Sequence, residues 1–299
     1  MSRACLPPRE LAQPVAFAVP VGAWDCHIHA IGDPARFPLA TDRSYTPALV
    51  PIEAYVDRMD RLGLSYAVLV QPSIYGTDNR AMVDALARYP GRFRGVAVVG
   101  ADVPDDALDD LGRRGVRGVR ANLLNRGGIS LGDAMALAPR LADRGWHLQL
   151  QIDVSSFDAF DAIAALPVDV VVDHFGYMPI GKGVDEPGFR RLLDLAARGR
   201  CYVKLSAPYR LTHWRREGFG AMTALARALV ESAPGRLLWG SDWPHTDLCD
   251  AMPDDGGLLS LLADWIPDAA TRTRVLVDNP AMLYGRFRGA TNETKAQPC

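Results

Sequence analysis

Residues 24–29 read WDCHIH. The run reads as a strand that ends in His27-Ile28-His29. Residues two apart on a strand point to the same side, so both imidazoles face one space. Runs of the same kind recur along the chain at 66–71 (YAVLVQ), 94–99 (RGVAVV), 116–120 (VRGVR), 147–152 (HLQLQI), 168–173 (VDVVVD), 201–205 (CYVKL) and 236–240 (RLLWG). They are short and rich in Val, Ile and Leu, as strands buried on both faces are. Helical patterns fall between them, at 51–62, at 78–89 with Asp78 as cap, from Ser130 to Gly145, and at 155–165, 186–198 and 217–232. A further helical region covers 257–285, broken at Pro267 and Pro280. Eight strands alternating with helices over about 260 residues predict an α/β chain folded as a (β/α)8 TIM barrel. A doubly wound sheet fits less well, because no GxGxxG follows a strand.

The 299 residues then divide into an N-terminal arm (1–20), the barrel (21–287) and a polar C-terminal tail, 288–299 (RGATNETKAQPC). Hydrophobic residues make up 48% and charged residues 23%, an ordinary globular balance. The formal net charge of −2 gives no basic field, so a nucleic-acid partner is not expected. No apolar run is long enough to span a membrane. The first residues, MSRACLPPRELAQP, lack the apolar stretch of a signal peptide, so a cytoplasmic location is expected. The five cysteines form no CxxC pair and are expected as free thiols.

Barrel enzymes place their reactive groups at the carboxyl ends of strands. Those ends offer His27 and His29; Gln71 and Ser73; Arg120, with Arg126 six residues on; His147, Gln149 and Gln151; Asp173 and His174; Lys204, Ser206 and Arg210; and finally Asp242 and His245. An arginine closing a buried strand, as Arg120 does, must be paired or face a ligand. His147 and His213 are read as packing or surface residues.

HxH after the first strand, a histidine after the sixth and an aspartate after the eighth resemble the amidohydrolase superfamily. The phrasing narrows the likeness. WDCHIHAIG (24–32), RSYTP (43–47), VQPSIYGTDN (70–79), RGVRANLLNR (117–126), VVDHFG (171–176), YVKLSAPYR (202–210) and LLWGSDWPH (237–245) resemble the 2-pyrone-4,6-dicarboxylate lactonase branch, with sulfomuconolactone and sugar-lactone enzymes beside it. HxH alone is weak; seven segments in order, over about residues 20 to 285, are specific.

The resemblance implies a hydrolase that opens a carboxylated lactone in aromatic-compound catabolism. His27, His29 and His174 resemble the imidazoles around the lactone carbonyl. Asp242 resembles the carboxylate that activates water. Arg120, Arg126 and Tyr45 resemble the groups that hold a substrate carboxylate, and Arg210 a second anion contact. Ser73, Tyr177 and His245 join the candidate substrate-binding residues. The chain departs from the lactonase pattern after DHFG, where it has Tyr177 instead of an arginine; a phenol cannot make the bidentate charged pair. The lactonase branch implies no obligatory metal, and no metal is the expectation here. The alternative is one divalent ion, zinc, on His27, His29, His174 and Asp242. Two other activities stay open: a metal-dependent decarboxylase of an aromatic or muconate acid, and a sulfomuconolactone or sugar-lactone hydrolase or isomerase. A binding barrel without turnover is the non-enzymatic option.

Overall fold

The computed structural model describes residues 3–212, 217–249 and 251–287, apart from the side chains of Arg3 and of 217–221. The expected tail at 288–299 and His213 lie outside the described residues. Among the described residues eight strands form the main sheet: β1 Trp24–Ile28, β2 Tyr66–Val70, β3 Phe93–Ala97, β4 Val116–Asn122, β5 His147–Gln151, β6 Val170–Val172, β7 Cys201–Ser206 and β8 Leu237–Gly240. Each pairs parallel with its neighbour in chain order from β1 to β8. Helices pack outside, as the alternation predicts.

The barrel closes at its carboxyl end. Asp242 N donates to His27 O at 2.8 Å, and His29 N donates to Trp243 O at 2.8 Å. Ile28 and Trp243 form an isolated parallel bridge there. Gly240 makes this approach possible, since a Cβ at that position would lie 2.7 Å from His27 Cβ. The seam is therefore where the HxH motif meets Asp242.

Inside the barrel, Cys26, Val68, Val96, Val171, Tyr202 and Leu238 form an apolar plug. The larger core lies between strands and helices and includes Leu69, Met59, Leu137, Val203 and Trp239. Leu→Ala changes at such sites cost about 2–5 kcal/mol. The β1–β2 register slips between Asp25 and Ile28. Asp25 consequently turns outward, accepting from Tyr55 Oη at 2.9 Å, while His27 turns inward to Lys204 and Asp173.

Some local expectations differ from the fold. The helix expected at 155–165 is reduced to Phe160–Ala164. Asp153 Oδ1 accepts from Ser155 N at 2.9 Å and Ser155 Oγ at 2.7 Å, a local turn that competes with helix. Pro280 does not break a helix; it occupies the first turn of Asn279–Tyr284, where its missing N–H costs nothing. Residues 3–12 are not a detached arm. Arg3–Ala4 pairs with Tyr45–Thr46, and Leu6 N donates to Leu248 O at 2.9 Å. The segment thus bridges the loops after β1 and β8. Among the described residues Cys26, Cys201 and Cys249 are free thiols, as expected. No helix among the described residues is long and apolar enough to cross a membrane.

Candidate active site

Three imidazoles converge on one carboxylate oxygen. Asp242 Oδ1 lies 3.3 Å from His29 Nε2, 3.7 Å from His27 Nε2 and 3.9 Å from His174 Nε2. The far side of each ring is engaged. His29 Nδ1 lies 2.8 Å from Val70 O and donates to it. His174 Nδ1 lies 2.8 Å from Ser206 Oγ. His27 Nδ1 lies 3.2 Å from both Asp173 Oδ1 and Lys204 Nζ. His27 Nε2 and Asp242 Oδ1 have no hydrogen bond of their own.

The backbone aims these groups. His174 (φ 51°) and Asp242 (φ 68°) both sit in the left-handed region, which non-glycine residues rarely occupy. Such strain collects at functional sites. Burial lowers the His174 pKa to about 4 and that of His27 well below its ordinary value, so both are neutral at pH 7. Burial pushes Asp242 up, but Arg210 and the surrounding imidazoles overcome it and hold the carboxyl well below the usual range.

Of the three expected substrate arginines, Arg120 and Arg210 are already ion-paired. Arg120 donates through Nε and NH2 to Asp173 Oδ2, each at 3.2 Å, and through NH2 to Gln151. Its NH1 reaches only Gln71 O at 3.4 Å. Arg210 donates through Nε to Asp242 Oδ2 at 2.8 Å and through NH2 to Thr246 O at 2.6 Å. The fully buried Lys204 lies 3.3 Å from Asp173 and donates to Gln149 Oε1 at 2.8 Å. Three cations thus face two carboxylates, Asp173 and Asp242.

His29, Tyr45, Ser73, Arg120, His174, Arg210 and Asp242 all line one small pocket, with about 20 Å³ of free space. Tyr45 lines it with Ser73 and Thr246, and burial raises the pKa of its hydroxyl. Gln151, one of the strand-end groups, completes the lining together with Asn122, Asn125, Thr246 and Asp247, which were not expected. His27 does not line the pocket; its ring lies edge-on to that of His29, with centroids 5.1 Å apart. Tyr177 lines an adjoining cavity of about 320 Å³, which shares Asn125 and Arg210 with the pocket. Arg126 is exposed on the turn beside Asn125 and does not line the pocket. That turn packs on Ser73, with Gly127 at φ 91° and space for a Cβ blocked by Ser73 O at 2.3 Å. His245 is also outside the pocket; it is fully buried behind Asp242. Asp173, Lys204 and Gln149 were visible as polar residues in apolar strands, but nothing local told which would pair.

The donor set fits a divalent ion. Tetrahedral zinc with bonds near 2.0–2.1 Å separates its ligand atoms by about 3.3 Å, close to the spacings around Asp242 Oδ1. His27, His29 and Asp242 form one possible metal-holding group among the described residues, and His27, Asp173 and His174 another. Imidazoles whose second nitrogen is held by a carbonyl or carboxylate are the usual zinc ligands.

The sequence profile of the amidohydrolase family (Amidohydro_2) matches residues 24–286. The chain belongs to the amidohydrolase family. It is 40% identical over 292 residues to the 4-sulfomuconolactone hydrolase of Rhizobium radiobacter, covering 94% of this chain and 96% of that protein. It is 38% identical over 279 residues to the 2-pyrone-4,6-dicarboxylate hydrolase of Comamonas testosteroni, covering 90% and 92%. A solved Agrobacterium tumefaciens structure superposes with a TM-score of 0.86 at 28% identity, covering 92% of this chain and 98% of that one. The match reaches across the seam and takes in every histidine of the site.

Proposed function

We propose that this amidohydrolase opens a carboxylated lactone, of the 2-pyrone-dicarboxylate or sulfomuconolactone kind, by hydrolysis. The observation that carries this reading is Asp242 Oδ1, without a hydrogen bond of its own and facing three imidazoles, beside a pocket lined by Arg120 and Arg210. The excess of one cation over the buried carboxylates is matched by a substrate carboxylate. With about 20 Å³ free, the inner pocket holds roughly one water. The lactone ring then lies across the Arg210–Asn125 junction, in the cavity beside Tyr177, with its carbonyl at the histidines.

Arg120 NH1, Tyr45 and Ser73 orient a substrate carboxylate, a positioning worth several kcal/mol of barrier. Asp242 Oδ1 accepts a proton from the attacking water. The ring C–O bond breaks, and Asp242 returns the proton to the departing oxygen, leaving a carboxylic acid that ionises. An acid held so far below neutrality is a weak base. This favours an ion in the site, in place of the metal-free expectation. His27, His29, His174 and Asp242 would hold it. Bound there, a divalent ion supplies Lewis acidity toward the carbonyl and lowers the pKa of water.

The test is ring-opening of 2-pyrone-4,6-dicarboxylate and of a muconolactone, followed by ultraviolet absorbance and proton release, with and without a chelator. Loss of ring absorbance with one proton per ester supports the reading. Release of CO₂ would instead identify a decarboxylase, and no turnover of any carboxylated lactone would overturn it.

A further inference from the structure

On the side of Asp242 away from the histidines lies a buried polar chain that the reaction above does not use. Tyr209 Oη lies 2.6 Å from Asp242 Oδ2 and 3.0 Å from His245 Nδ1. His245 Nε2 lies 3.0 Å from Asp255 Oδ1, and neither atom has another hydrogen-bond partner. Arg58 NH1 donates to Asp255 Oδ2 at 2.6 Å, and its NH2 donates to Arg9 O at 2.6 Å. Exposure is 1% at Tyr209, 0% at His245 and Asp255, and 8% at Arg58.

We propose that Tyr209 is a positioning residue for Asp242, and that His245, Asp255 and Arg58 act through it by aiming its hydroxyl. Tyr209 has one hydrogen, and Asp242 and His245 compete for it. If it went to His245, Asp242 Oδ2 would face a phenol lone pair at 2.6 Å. A hydrogen on His245 Nδ1 removes that choice: the imidazole donates to the phenol oxygen, and the phenol donates to Asp242. Asp255 Oδ1, 3.0 Å from Nε2 and not hydrogen-bonded to it, limits where the ring can sit. Arg58 fixes Asp255 in turn.

The consequence falls on Asp242. Tyr209 and Arg210 saturate Oδ2, while Oδ1 accepts nothing and stays turned to the imidazoles. A carboxylate anchored by one oxygen cannot rotate to exchange the two. Asp242 and His245 both keep left-handed backbone (φ 68° and 60°), which non-glycine residues rarely adopt and which strains the chain. That strain turns one side chain into the pocket and the other behind it.

The inference rests on the lactonase reading for its kinetic test. In the full-length protein, Tyr209→Phe is expected to lower kcat about 100-fold and leave KM within about threefold. Asp255→Asn and His245→Gln are expected to lower kcat less, again with KM held. Tyr209→Phe combined with Asp255→Asn should be no worse than Tyr209→Phe alone, because both act through one hydroxyl. Full kcat in Tyr209→Phe, losses confined to KM, or losses that multiply in the double variant would overturn the proposal. Should Tyr209→Phe fail to fold, Asp255→Asn and His245→Gln carry the same kcat-against-KM test. If the wild type opens no lactone, the functional reading fails alone. Crystal structures of wild type and Tyr209→Phe then decide: Asp242 Oδ1 turned from the imidazoles supports the proposal, and an unmoved Asp242 overturns it.

Discussion

Arg210 grips Asp242 by one oxygen only: its Nε lies 2.8 Å and its NH2 2.6 Å from Oδ2. The other oxygen is left to the histidines. Asp242→Asn keeps the shape of the side chain and removes its charge. Turnover should fall by about 10³ or more while a substrate analogue still binds. Steady-state kinetics beside calorimetric titration check this; turnover near the wild-type rate would remove Asp242 as the proton acceptor.

Arg120 has two duties, pairing with buried Asp173 and offering NH1 to the pocket. Arg120→Met should raise KM for carboxylated lactones. It should also destabilise the fold by about 3–5 kcal/mol, because a buried carboxylate loses a partner. Lys204 and Gln149 remain on Asp173 and keep the loss toward the lower end. Chemical denaturation at pH 7 and a substrate series separate the two effects.

Metal content gives a readout free of activity. Protein loaded with zinc and dialysed should retain about one ion per chain. His29→Gln, which removes the imidazole nearest Asp242, should weaken retention at least tenfold. Equal, negligible zinc in both proteins would return the site to a metal-free reading.

Tyr177 lies across the Arg210 cavity at left-handed backbone, φ 52°. A phenol there suits a substituent with less negative charge than a second carboxylate. Tyr177→Arg should raise kcat/KM for a dicarboxylate relative to a monocarboxylate lactone by about tenfold, one bidentate pair's worth. An unchanged ratio would separate Tyr177 from substrate choice.

His147 is buried, its ring packed on Gly118 and edge-on to Tyr284 with centroids 5.3 Å apart. Burial lowers its pKa to about 3. The unfolded chain takes up this proton near pH 6.5, while the folded protein resists it until about pH 3. His147 therefore contributes full stability above pH 6.5, which is lost as pH falls toward 3, at about 1.4 kcal/mol per pH unit. Asp25, raised to about 6 by burial, works with the opposite sign. It cancels in a comparison of wild type with His147→Gln. The variant's unfolding free energy should be flatter between pH 6 and 4, and parallel curves would contradict the assignment.

The local pattern of the chain determined a good deal. Strand period put His27 and His29 on one side, and alternation with helices predicted the barrel. Polar residues ending apolar strands marked His174, Arg120 and Asp242, because burial makes such residues expensive unless they are used. The same patterns do not tell where Arg126 and His245 sit relative to the pocket. Both are candidates by type and place; one faces solvent and the other lies behind Asp242.

Which groups pair was decided only by tertiary structure. Arg120 meets Asp173 across 53 residues, Arg210 meets Asp242 across 32, and Arg58 meets Asp255 across 197. Those contacts depend on barrel curvature, on the slip in β1 that turns His27 from Asp25, and on left-handed backbone at His174, Asp242 and His245. Periodicity fixes the face of a strand on which a side chain lies. It carries no information on which opposite charge the closed barrel brings to that face, and that choice sets which oxygen of Asp242 remains free.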